Sequence, residues 1–483
     1  MNSKETNPSL ELSTQEMKTL GYAVIDILVE HFSNLKNKRV GNVAKRVDLE
    51  KIFREPVPES GMNPEVLLDF FKNKVITNTS CVDHPRFFAF VPSPGNYIST
   101  MADALISGIN FFSGNWLESS AASQIELVTI DWLKELCGLP KSSGGLFVSG
   151  GSMANLTALI VARNIKLKNN IQNAVVYFSD QTHSSIEKGF KILGFEDLQI
   201  KKIKSDSNFR LPIGEFKKTV EQDKANGKKP FCVIVNAGTT NTGAVDPIWE
   251  ISEYCKKENL WLHADGAYGA AVVLTPQGKE ILKGLELVDS LSLDPHKWLF
   301  QPFEIGCVLI KDAKWMKEMF HASADYLKDA EIGTNELNFF DYGIQMTRSF
   351  RALKLWMSLK VFGLNSFREA IAHGFKMAEL VEKTVLSSSK LKLVTKANLG
   401  VVTFRYEDKK LSDEKLNFLN KQIVEEIIKD GFAMISSTAL NGQVVLRMCP
   451  INPRTQEIDI TDTIQKIEKA GNDIINKQFL VTT

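Results

Sequence analysis

Residues 290–300 read SLSLDPHKWLF. Small and apolar side chains alternate through Leu293, as in a strand, and Asp294-Pro295 ends the pattern. Lys297 follows, directly before Trp298, Leu299 and Phe300, where an ammonium group is costly to bury. Burial lowers a lysine pKa, and a neutral amine is a nucleophile that condenses with aldehydes. The alternative is a surface lysine just past a strand end. The neighbouring segments decide how much weight the first reading carries.

Short apolar runs recur on both sides: GLFVS (145–149), AVVYFS (174–179), FCVIVNAG (231–238), LWLHAD (260–265), DSLSLD (289–294) and IGCVLI (305–310). Helical patterns over 122–137, 153–166 and 247–257 separate several of them. This alternation predicts an α/β fold with a mainly parallel, doubly wound sheet, in which ligands gather beyond the C-terminal ends of the strands. The residues at those ends are Gly150-Gly151-Ser152, Asp180 to His183, Gly238-Thr239-Thr240, Asp265-Gly266-Ala267 and Asp294 to Lys297.

Each group has a structural and a chemical reading. Gly150-Gly151-Ser152 opening a helix offers backbone N–H groups, a hydroxyl and a positive dipole end, which suit a phosphate. A tight strand–helix turn would read the same way. The stretch lacks the GK[ST] of a Walker loop and the full GxGxxG spacing, which disfavours a dinucleotide. Asp265 ends an apolar strand and needs a cation or a donor, unless it only caps the Asp-Gly turn. Ala267 is small enough for a flat ring to lie against the backbone. His183 could stack on that ring, relay a proton, or serve a structural role. Taken together, the set suits a small ring bearing a phosphate, a basic nitrogen and an aldehyde held by Lys297. That is pyridoxal 5'-phosphate (PLP), whose protonated ring is an electron sink.

The bulk properties set limits. The chain has 483 residues, 43% of them apolar and 24% charged, with a formal net charge of +1. That length exceeds one simple domain, and the charge balance gives no reason to expect a nucleic-acid or membrane partner. Cys81, Cys137, Cys232, Cys255, Cys307 and Cys449 are scattered without CxxC spacing, which points to reduced thiols and a cytoplasmic protein. No secretory leader is expected from MNSKETNPSLELS, and no apolar run approaches the roughly 20 residues of a membrane span. The seven histidines show no metal-ligand spacing, so no metal site is expected.

Residues 13–35 form an amphipathic helical pattern with capping-box spacing between Ser13 and Glu16. Its apolar stripe needs a covering surface, either a second copy of the chain or its own domain. Beyond about 360, mixed-charge helices alternate with polar-flanked strands, as in a smaller α+β unit. The expected organisation is a helical N-terminal dimerisation segment (1–95), a large PLP-binding α/β domain (96–360) and a small α+β domain (361–483).

HPRFFAFVPSPGNY, GGSMANLTAL, SDQTHSSIEKG, NAGTTNTGAVDPI, WLHADGAYGA, DPHKWL and FRALKLW together resemble the group II PLP-dependent amino acid decarboxylases, most of all the aromatic-L-amino-acid decarboxylases. The resemblance runs in order from about residue 10 to the C-terminus. It implies a fold-type-I, aspartate-aminotransferase-like homodimer with its active site at the subunit interface. It also implies that Lys297 carries the cofactor as a Schiff base, that Asp265 pairs with the ring nitrogen and that Ala267 lies against the ring. By the same resemblance His183 stacks over the ring, Gly151, Ser152 and Asp294 contact the phosphate, and Thr240 lies near the cofactor. A loop tyrosine is implied as the donor of a proton to Cα. Tyr342 is the best match and Tyr326 the second. Relatives with phenylalanine at that loop position resemble aldehyde synthases, an alternative outcome together with transamination.

The resemblance places the substrate wall at Phe90, Val91, Pro92 and Phe112, with Ser93 where relatives carry a threonine. The absence of lysine and arginine at these positions disfavours acidic substrates such as glutamate, although Arg86 lies near in sequence. Gly114 stands where relatives often carry phenylalanine, which would enlarge the pocket, and Glu118 leaves room for a cationic substrate such as diaminobutyrate. An aromatic amino acid is the expected substrate.

Overall fold

The computed structural model describes residues 10–321 and 336–478. Its central sheet holds seven strands, β1 (Gly144–Val148), β2 (Ala174–Ser179), β3 (Ile200–Ile203), β4 (Lys229–Asn236), β5 (Trp261–Asp265), β6 (Ser290–Leu293) and β7 (Gly306–Ile310), all but β3 formed from the predicted apolar runs. The spatial order is β1-β7-β6-β5-β4-β2-β3. Strands β6, β5, β4, β2 and β3 are mutually parallel, while β7 pairs antiparallel with both β1 and β6. Every strand but β7 therefore points the same way, and their C-terminal ends share one edge. All residues of β2, β5 and β6 are buried, as expected of strands covered by helices on both faces.

The helices expected over 122–137, 153–166 and 247–257 occupy Trp116–Leu136, Gly151–Leu167 and Ile248–Glu258. The first begins earlier because Asn115 caps it by accepting the N–H of Glu118. Strand β3 and the helix Ile213–Ala225 were not anticipated. At four residues with two lysines, IKKI carries too weak an apolar signal to read as a strand.

A second sheet holds β8 (Leu391–Asn398), β9 (Val401–Tyr406), β10 (Ser436–Leu440) and β11 (Gln443–Met448), all antiparallel in the order β10-β11-β9-β8. The helices Asp413–Asp430 and Glu457–Gln478 pack on it around a separate core containing Phe404, Leu419 and Ile464. The long helix Ala352–Ser387 touches both sheets' cores and breaks at Gly363, whose φ of 71° suits glycine. Residues 86–88 also belong to this layer. Phe88 N donates to Met434 O (2.7 Å), and Cys449 N donates to Phe88 O (2.9 Å).

The N-terminal helix α1 (Thr14–Ser33) has the expected capping box, with Ser13 and Glu16 bonded reciprocally. No residue of α1, α2 (Arg46–Phe53) or α3 (Pro64–Phe70) is buried within the chain. Met17, Tyr22, Val47 and Val66 are all more than half exposed. Among the described residues no helix is long and apolar enough to cross a membrane.

Candidate active site

The shared strand edge opens into a cavity of about 350 Å³. Gly151 and Ser152 line one side, Asp265 and Ala267 the floor strand's end, and Asp294 and Lys297 a further wall. His183 and Thr240 line it as well. All eight residues expected to hold a cofactor thus converge on one space.

Strand register explains the convergence. Asn236 on β4 lies beside Asp265 on β5, and Asp265 beside Ser292 on β6. The Asp265 carboxylate accepts from Asn155 Nδ2 (3.1 Å), Ser292 Oγ (3.3 Å) and its own turn's Ala267 N (3.2 Å). It therefore caps the turn and also presents a buried anion to the cavity. Lys297 Nζ lies 3.0 Å from Asp294 Oδ2, while Asp294 Oδ1 is buried without a hydrogen-bond partner. Burial holds the neighbouring His296 below the ordinary imidazole range.

The helix Gly151–Leu167 begins against this pair. Its cap, Gly150, has an extended backbone and no side-chain hydrogen bond, so the first turn keeps N–H groups open to a ligand. A Cβ on Gly151 would stand 2.9 Å from both the Ala267 Cβ and Asp294 Oδ2. His183 caps the helix Ser184–Ile192 by accepting the N–H of Ser185 and stands exposed at the rim. Behind Thr240, Arg447 of β11 is buried, donates from Nε to Thr240 O (2.9 Å) and bonds Phe90 O, and its Nη2 has no partner.

The expected substrate wall is not part of this cavity. Phe90 is 62% exposed, Pro92 and Ser93 are buried elsewhere, and Phe112 and Tyr342 are half-buried outside it. Tyr342 packs on the central core, where burial raises its phenol pKa. Tyr326 falls outside the described residues. Gly114 does not open space as expected. A Cβ there would meet Phe112 Cε1 at 2.5 Å and Met346 O at 2.7 Å, because the Phe112 ring already fills the gap. Glu118 binds its own helix cap through Asn115 Nδ2. Arg86 bonds Asp459 (3.1 Å) and Phe432 O (2.7 Å) and stacks on Phe432, so it does not present a free guanidinium to an acidic substrate.

Asn155, His263, Ser185 and Arg447 were not picked out from the sequence. For His263 a signal existed: it sits two residues before Asp265, hence on the same face of β5. Asn155 and Ser185 face the site only through packing, and Arg447 reaches its edge only through the Thr240 carbonyl.

The fold and cavity define an α/β enzyme built to hold a compact, phosphate-bearing cofactor. The unpartnered Asp294 oxygen beside an amine, the open helix N-terminus and the buried Asp265 carboxylate together fit PLP. The chain belongs to the pyridoxal-dependent decarboxylase family, whose conserved-domain model matches residues 48–407. It is 48% identical to an aromatic-L-amino-acid decarboxylase of Bacillus atrophaeus over 96% of this chain and 98% of that protein. It superposes on a crystal structure of Oryza sativa TDC with PLP and tryptamine at a TM-score of 0.91, with 25% identity, covering 98% of this chain and 100% of that one. It also resembles a Rhodiola rosea 4-hydroxyphenylacetaldehyde synthase (TM-score 0.89, 26% identity, 96% and 99% covered).

Proposed function

We propose that this PLP-dependent carboxy-lyase decarboxylates aromatic L-amino acids and works as a cytoplasmic homodimer. The observation that carries the substrate class is the 48% identity, across nearly the whole chain, to an aromatic-L-amino-acid decarboxylase. The engagement of Arg86 and Glu118 within the protein supports it, since neither is free to select a charged side chain.

In this reading Lys297 holds the cofactor covalently through Nζ. Gly151 and Ser152 receive its phosphate at the helix N-terminus, with Asp294 and Thr240 beside it. Asp265 pairs with the ring nitrogen, Ala267 leaves room for the ring, and His183 covers it. When bound, PLP supplies an electron sink for the pair left at Cα as CO2 departs. The protein's task is to orient the departing carboxylate, keep the ring nitrogen paired and return a proton to Cα.

Two observations support a shared site. The apolar faces of α1, α2 and α3 lack a cover within the chain, and Phe90, Pro92, Ser93, Phe112 and Tyr342 do not line their own chain's cavity. A second copy supplies both the cover and the missing wall, with Tyr342 as the proton donor to the partner's site. The exposed apolar area on the three helices suits the core of an obligate interface.

The test is CO2 and amine formation across tryptophan, tyrosine, phenylalanine, hydroxylated relatives, glutamate and diaminobutyrate, with aldehyde and peroxide measured beside them. Amine with stoichiometric CO2 from an aromatic substrate is expected. Turnover of glutamate or diaminobutyrate in its place would overturn the substrate class. Aldehyde with peroxide would assign the oxidative outcome instead.

A further inference from the structure

Behind the cavity floor runs a buried chain of hydrogen bonds that the decarboxylase reading does not use. Trp261 Nε1 donates to Ser290 Oγ (2.8 Å), and Ser290 Oγ meets His263 Nδ1 (2.8 Å). His263 Nε2 meets Asn155 Oδ1 (3.0 Å). Asn155 Nδ2 donates to Asp265 Oδ2 (3.1 Å) and to Ser185 Oγ (3.1 Å), and Ser185 Oγ meets His183 Nδ1 (2.9 Å). Trp261, Ser290, His263 and Asn155 are at most 1% exposed, so each donor and acceptor must be matched inside the protein.

The chemistry of the partners gives every bond a direction. A carboxylate only accepts, so Asn155 must turn its NH2 toward Asp265 and its oxygen toward His263. An amide oxygen only accepts, so the His263 proton is on Nε2. Its Nδ1 then accepts from the Ser290 hydroxyl, which in turn accepts from the indole N–H of Trp261. Burial pushes His263 down to about 4, consistent with a neutral ring holding one proton. At the other end Ser185 Oγ accepts from Asn155 and has its hydrogen left for His183 Nδ1. The backbone N–H of Ser185 points at the same nitrogen (3.3 Å). With two donors aimed at Nδ1, the ring proton of His183 belongs on Nε2.

We propose that Asn155 is a positioning residue whose single amide holds the Asp265 carboxylate and, by fixing the Ser185 hydroxyl, reinforces the Nε2–H tautomer of His183. The assignment rests on the reading that the cofactor occupies this cavity between Asp265 and His183. One side chain then orients both residues, and the neutral His263 behind it keeps the amide from flipping.

Ring-15N spectra of histidine-labelled holoenzyme, cofactor dissociation constants and separate kcat and KM values test this in Asn155→Ala and Ser185→Ala. Asn155→Ala is expected to weaken cofactor binding roughly tenfold or more, as befits a lost charge-assisted bond, and to shift the His183 ring-15N signals as the Ser185 hydroxyl loses its fixed direction. Ser185→Ala, which leaves the Ser185 backbone N–H as the donor to Nδ1, is expected to shift the His183 ring-15N signals and lower kcat several-fold with KM little changed. An unchanged His183 spectrum in Ser185→Ala would overturn the proposal, and that variant is mild enough to fold should Asn155→Ala not. So would an Asn155→Ala protein that melts earlier yet keeps wild-type cofactor affinity and His183 signals. Failure of the decarboxylase reading is distinguishable, because it shows in the wild type as no bound cofactor and no CO2.

Discussion

At the scale of single residues, the site rests on close approaches that leave no slack. Lys297→Ala is expected to lower turnover by at least on the order of 10³-fold while the fold survives. Borohydride treatment of the wild type should leave its label on the peptide carrying Lys297, and a label on any other lysine would remove that residue from its role. Gly151 offers a subtler check. Gly151→Ala places a methyl 2.9 Å from the Ala267 Cβ and Asp294 Oδ2, at the helix end proposed to receive the phosphate. Cofactor affinity measured by absorbance titration should fall sharply, with kcat on the remaining holoenzyme less affected. Lys297, Asp265 and His183 are legible in the sequence because each follows or ends an apolar run, and strand ends in such sheets meet. Asn155 is not. It lies inside a helix, and only the packing of that helix on β5 turns it toward Asp265.

At the scale of elements, one buried ion pair ties the segment before the long helix Ala352–Ser387 to the central sheet. Arg348 pairs with Glu126 of the helix Trp116–Leu136 and donates to Phe147 O (3.0 Å) on β1 and to Ser113 O (3.1 Å). Glu126 also accepts the N–H of Phe147 (2.9 Å). Both side chains are at most 1% exposed. Arg348→Met would leave a carboxylate buried without its cation, which is expected to cost about 3–5 kcal/mol in urea unfolding. Adding Glu126→Gln should recover part of that loss. The sequence shows both charged residues, but their separation along the chain hides the pair. The strands fared better, since a strand buried on both faces announces itself as a continuous apolar run.

At the scale of the whole molecule, the proposed dimer interface and one interface within the chain can be tested. Mixing Lys297→Ala with Tyr342→Phe under exchange conditions should restore about a quarter of wild-type turnover, since random pairing gives half hybrid dimers with one intact site each. No recovery would return Tyr342 to a structural role. The second interface joins residues 79–90 to the small sheet. His84 is fully buried there, and burial, then Arg86, lower its pKa to about 4. Its folded pKa thus lies below the unfolded value near 6.5, so its contribution is complete above pH 6.5 and is lost as pH falls toward 4. Melting temperature measured across that window should fall less steeply in His84→Gln than in the wild type.

What the sequence determined by itself was the layered α/β plan, the strand ends that carry Gly151, Asp265 and Lys297, and through them the cofactor chemistry. Alternation and apolar runs are local signals, and the rule that strand ends share an edge turns local signals into a site. The tertiary structure decided the rest. It set His263 beside Ser290 and Asp265 beside Ser292 across β5 and β6, filled the space at Gly114 with Phe112, and kept the expected substrate wall away from its own chain's cavity. Register between strands some 27 positions apart, and the packing of helices onto them, depend on how side chains fit together in three dimensions, which spacing along a chain does not record.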